Sequence, residues 1–132
     1  MGLDINFYKE SKLDPRYHEN VGYFRKVNFI LTYFNVGDDM NCEHVYITKE
    51  QFKKFISDLK AETNNINFND EDSLDKLTPK NENLKTKQVF FGGSVEYNKY
   101  YWQDIVRVHD WANEVLNNID WNKDNLYLVA WW

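Results

Sequence analysis

Two periods of apolar spacing take turns along this chain. Leu3, Ile5 and Phe7 alternate with Asp4, Asn6 and Tyr8, the two-residue period of a half-buried strand. Pro15 marks a turn. From about Asn20 the spacing becomes helical. Tyr23, Val27, Ile30 and Phe34 recur at four, three and four with Phe24 and Leu31 beside them, which predicts a helix closed by Gly37. Glu43 to Ile47 predicts a second strand. Thr48 with Gln51 three residues later forms a capping box opening a second helix, which buries Phe52, Phe55, Ile56 and Leu59 and ends near Asn64.

The stretch 64–84 is rich in Asn, Asp and Glu, with Leu74 and Leu77 as anchors and Pro79 as a breaker. It reads as a long acidic surface loop holding at most one short helix, and loops of this length are often functional. Gln88 to Phe91 predicts a third strand, punctuated by Gly92-Gly93. A long helix follows over about Asn98 to Asn118. Its seam is Tyr101, Ile105, Val108, Ala112, Val115 and Ile119, stepping by four and three throughout. Asn125 to Trp132 closes the chain as an apolar strand. The pattern predicts one α+β domain over residues 1–132, a small, mostly antiparallel sheet covered by two or three helices.

Composition supports a folded chain: 42% of the 132 residues are hydrophobic and 17% aromatic, well above what disorder allows. Each ring can bury on the order of 150–250 Å². Nine tyrosines and five tryptophans exceed what one modest core hides, so some rings reach a surface. The net charge of −5 disfavours non-specific binding to a phosphate backbone and suits an approach to a basic protein surface. A single cysteine, Cys42, excludes an internal disulfide and fits a reducing compartment. With no signal peptide and no 18-residue apolar run, no membrane association is expected and the location reads as cytoplasmic.

Reactive chemistry finds little footing. Asp38, Asp39, Cys42, Glu43 and His44 form the densest set of potential ligands, yet no second Cys or His at ligand spacing completes a zinc tetrahedron. Cys42 as a nucleophile is set among acids, which oppose the thiolate. Gly92-Gly93-Ser94 lacks the lysine of a phosphate loop, and His109 sits beside the seam of the long helix. No catalytic residue, metal or cofactor is assigned, and the chain reads as non-enzymatic. Two ring clusters stand out instead. Tyr97, Tyr100, Tyr101 and Trp102 crowd the start of the long helix with Glu96 and Asp104 beside them, the mixture found in protein-binding hot spots. Trp131-Trp132 places at least one ring on each face of the last strand, which suggests a homo-oligomer contact through Leu126 to Trp132.

Three stretches resemble a family of small, functionally uncharacterised phage and prophage proteins. These are the opening Met1-Gly2-Leu3-Asp4; Tyr23-Phe24-Arg25-Lys26-Val27-Asn28, similar to that family's Tyr-Trp-Arg-Lys-x-Asn; and Phe90-Phe91-Gly92-Gly93-Ser94-Val95-Glu96-Tyr97 with Tyr101-Trp102 and Asp104 after it. The likeness covers about a third of the chain. Phe24 replaces a tryptophan, and one extra glycine interrupts the third stretch. The resemblance implies a phage-encoded inhibitor of a bacterial defence component, such as a CRISPR effector, acting on a host protein in the bacterial cytoplasm. Arg25, Lys26, Asn28, Glu96, Tyr97, Tyr100, Trp102 and Asp104 are its candidate binding residues. Arg25 is expected to pair with Glu96 or Asp104. The alternative is a small-molecule binder that sequesters a nucleotide signal between Arg25/Lys26 and the Tyr97–Trp102 cluster.

Overall fold

The computed structural model describes residues 2–64, 66–89 and 95–132. Four antiparallel strands form one sheet, β1 (Asp4–Ser11), β2 (His18–Arg25), β3 (His44–Ile47) and β4 (Asp124–Trp131), in the order β2-β1-β4-β3. Helices α1 (Phe29–Tyr33), α2 (Lys49–Thr63), α3 (Glu71–Leu74) and α4 (Lys99–Asn118) accompany it, making a single α+β domain. Ile5 and Phe7 of β1, Phe24 of β2, Ile47 of β3 and Leu126, Leu128 and Ala130 of β4 meet Phe52, Phe55 and Leu59 of α2 and the seam of α4 in one buried core. All six predicted seam residues, Tyr101 to Ile119, are buried.

The helix caps follow from local chemistry. Thr48 Oγ1 accepts from Gln51 N at 3.1 Å while Gln51 Oε1 accepts from Thr48 N at 2.9 Å, the reciprocal capping box. Asn98 Oδ1 accepts from the amides of Tyr100 and Tyr101 and opens α4. Glu62, near the end of α2, accepts from the backbone of Lys80 and Asn81, so the acidic connection is tied back to the helix that precedes it. That connection carries α3 and a further 3₁₀ turn at Glu82–Leu84, one more element than expected, with Leu74, Pro79 and Leu84 buried and Leu77 exposed.

Residues 20–28 correct the sequence reading: they are not helical. His18–Arg25 is a strand, β2, folded back on β1 through the turn at Asp14-Pro15-Arg16, and only Phe29–Tyr33 keeps a helical turn. The apparent stripe from Tyr23 fails because Tyr23 faces outward, 52% exposed, while Phe24 faces the core. Asn35, at φ 56, takes the left-handed turn after α1, two residues before Gly37, where the sequence places the helix stop. Gln88 and Val89 join no strand, and the Phe90–Ser94 part of that expectation lies outside the described residues. The C-terminal strand is interior. β4 pairs with β1 on one side and β3 on the other, and Cys42 N and Asn41 Oδ1 cover its last residues, so it offers no edge for a second copy.

Candidate functional site

Five of the eight sequence-chosen residues converge. Lys26, Asn28, Glu96, Tyr100 and Asp104, with Thr86 and Asn98, line a cleft of about 170 Å³ between the exit of β2 and the first turns of α4. The backbone sets up its floor. Lys26 turns out of β2 at φ 61, and its N–H donates to Leu3 O at 2.8 Å. Asn28 is buried and clamps the incoming loop from both sides, donating to Lys87 O at 3.0 Å and accepting from Lys87 N at 2.7 Å. Burial raises the Asp104 carboxyl above its ordinary value, against the opposing pull of Arg107, which pairs with it at 3.0 Å.

The other three separate. Tyr97 is half-buried; its hydroxyl accepts from Thr86 N, and its ring packs edge-on against Tyr101. Trp102 is a correction: at 1% exposed it belongs to the core and reaches no partner, with its indole N–H unpaired. Tyr101 on the same turn is also buried, and burial raises its hydroxyl well above the usual range. Arg25 stands opposite Asp4 on the far face of the sheet from the core, and Asp104 has Arg107 as its partner in place of Arg25.

That far face is the larger feature, and sequence reasoning missed it. Register places Asp4, Asn6, Tyr8 and Glu10 of β1 beside His18, Asn20, Tyr23 and Arg25 of β2. On the other side stand Asn125, Tyr127, Val129 and Trp131 of β4, then His44 and Tyr46 of β3. Among the described residues no helix covers this face. Its centre is filled by its own rings: His44 stacks on Tyr127 at 4.4 Å and 15°, and Tyr8 stacks on the same Tyr127 at 5.4 Å and 24°. Tyr127 is 4% exposed as a result, whereas Tyr23, Tyr46 and Trp131 are each at least 40% exposed around it.

Two carboxylates hold these outer rings. Asp4 accepts from the Tyr23 hydroxyl and, at 3.2 Å, from Trp131 Nε1. Glu10 accepts from the Tyr46 hydroxyl at 3.0 and 3.2 Å. The bond to Asp4 raises the Tyr23 hydroxyl above its normal value. For Tyr46 burial leads and Glu10 adds to it. Both phenols therefore stay protonated donors at neutral pH. The sequence signal for this face is the second set of each strand's alternating positions, Asp4-x-Asn6-x-Tyr8 and Asn125-x-Tyr127-x-Val129-x-Trp131.

Among the described residues no group of three or more His, Cys, Asp or Glu is placed to hold a metal ion. Cys42 is exposed at φ 65, and the neighbouring His44 ring lies on Tyr127. No helix among the described residues is long and apolar enough to cross a membrane. No protein-family model matches this chain, and no curated protein or solved structure matches it either.

Proposed function

We propose that this chain is a non-enzymatic binding protein that engages a bacterial host protein through the uncovered face of its sheet, and that it serves as a phage-encoded inhibitor of a host defence component. One observation carries the binding reading: three large rings are exposed on one face, each fixed by a hydrogen bond to a carboxylate. Rings held in place before contact lose little conformational freedom on binding, and rigid aromatic anchors dominate protein interfaces. The phage and defence part rests on the likeness of Tyr23–Asn28 and Phe90–Tyr97 to small phage proteins. Tyr23 and Arg25 of that stretch stand on the ring face itself.

Sequestration of a nucleotide in the cleft is less well supported. Among its described lining residues Lys26 is the one cationic side chain, and Glu96 and Asp104 bring carboxylates to the same space, a poor lining for phosphate groups. Tagged protein expressed in a bacterial host is expected to retain one stoichiometric protein through purification. Tyr46→Ala with Trp131→Ala should lose it, whereas Tyr100→Ala, which alters only the cleft, should keep it. Loss on Tyr100→Ala alone, or a nucleotide released from the purified protein on denaturation, would move the function to the cleft.

A further inference from the structure

The chemistry of the ring face selects a class of partner surface. We propose that it docks a cationic, extended segment of the partner, with arginine side chains laid over Tyr23, Tyr46 and Trp131, bonding to Asp4 and drawn by the charge of Glu10. The inference rests on the binding role of this face given above.

Charge is the first argument. Each carboxylate offers about four lone-pair positions. Asp4, partly exposed, uses two on Tyr23 and Trp131 and keeps acceptor capacity, whereas Glu10 is buried with both oxygens on the Tyr46 hydroxyl and contributes its charge only. A phenol that donates to a carboxylate also carries more electron density in its ring, which strengthens its attraction for a cation over the ring. Among the described strand residues of this face Arg25 is the one Lys or Arg, against two carboxylates, and the whole chain carries −5. Guanidinium is the cation that suits both demands, because it is planar, weakly hydrated and forked to match a carboxylate. The same rings could stack nucleobases, but the accompanying phosphates would meet Asp4 and Glu10.

Size is the second argument. Three strands of eight residues and one of four, about 4.8 Å apart with about 3.3 Å per residue, fit within roughly 14 by 26 Å, no more than about 370 Å². That is about half the roughly 800 Å² per partner of a standard protein–protein interface, too little for a stable dimer of this chain through the face. An extended segment of about eight residues covers it end to end.

The test maps binding residue by residue on isotope-labelled protein by nuclear magnetic resonance. Three probes are added in turn: an octapeptide alternating arginine and glycine, its glutamate–glycine counterpart, and an eight-nucleotide single strand. The arginine peptide is expected to move the amide signals of β1, β3 and β4. Its affinity should drop severalfold at high salt and about tenfold in the Tyr46→Ala, Trp131→Ala double variant. Asp4→Asn, which keeps every ring, should also weaken it severalfold. Both substituted rings are exposed, so an unchanged thermal midpoint confirms that the variants fold. Equal response to the glutamate peptide, tighter binding of the oligonucleotide, or silence of these strands overturns the proposal. If the host partner is still lost on Tyr46→Ala with Trp131→Ala while the arginine peptide is silent, only the cationic assignment falls. If both fail, the face itself is not the binding surface.

Discussion

Gly22 shows how a single residue decides the packing between sheet and helix. A Cβ built there would stand under 3.0 Å from the Trp111 indole, whose Nε1 donates to Val21 O at 2.7 Å. Trp111 of α4 thus approaches β2 this closely only because this position lacks a side chain. Gly22→Ala forces the ring away and breaks that bond, with an expected loss of roughly 1–3 kcal/mol in denaturant-induced unfolding. Asp104 supplies a pH signature of opposite sign. Its folded pKa is raised by burial, so the native state binds more protons than the unfolded chain above about pH 3.8, and stability falls as pH rises through the folded value. Asp104→Asn removes that cost. Unfolding at neutral pH should show a gain under about 1 kcal/mol, after allowance for partial exposure and the lost Arg107 pair, and the gain should vanish below pH 4. A variant equally destabilised at both pH values would show that Arg107 outweighs burial.

Among the elements, those with one buried face and a chemical start signal were readable and β2 was not. Thr48 and Gln51 announced α2, and the four-three spacing announced α4, because a helix against a sheet buries one stripe and solvates the rest. Thr48→Ala should therefore cost about 1 kcal/mol in thermal unfolding, mostly through the amides of the first turn. Strand β2 defeats the same logic from both sides. Tyr23 and Phe24 are both aromatic, yet one faces water and the other the core, so polarity does not alternate. Its pairing register with β1 also shifts between Phe7 and Tyr8, which breaks the two-residue period at Val21-Gly22. The cleft was partly legible because Lys26, Asn28, Glu96, Tyr100 and Asp104 share short motifs. The ring face was not, because it draws residues from four strands spread from Asp4 to Trp131, and no local window contains it.

At the scale of the whole molecule, the first and last strands are neighbours, and that pairing closes both layers. Asp4 lies opposite Trp131 and Ser11 opposite Asp124, a ladder between the two ends of the domain. β4 contributes Leu126, Leu128 and Ala130 to the helix-side core and Tyr127 to the ring cluster on the other side. It also separates β1 from β3, so without it β3 has no partner in the sheet. Neither layer can be completed before the chain has brought its most distant parts together, and the loop entropy of that step opposes fast folding. Removing Asp124–Trp132 should therefore leave a chain without cooperative thermal unfolding or near-ultraviolet circular dichroism. Removing Trp132 alone spares all four strands, and a cooperative transition should remain. A truncated chain that still unfolds cooperatively would mean that α2, α4 and the β1–β2 hairpin make a core unaided, and that the final strand serves mainly to build the outer ring face.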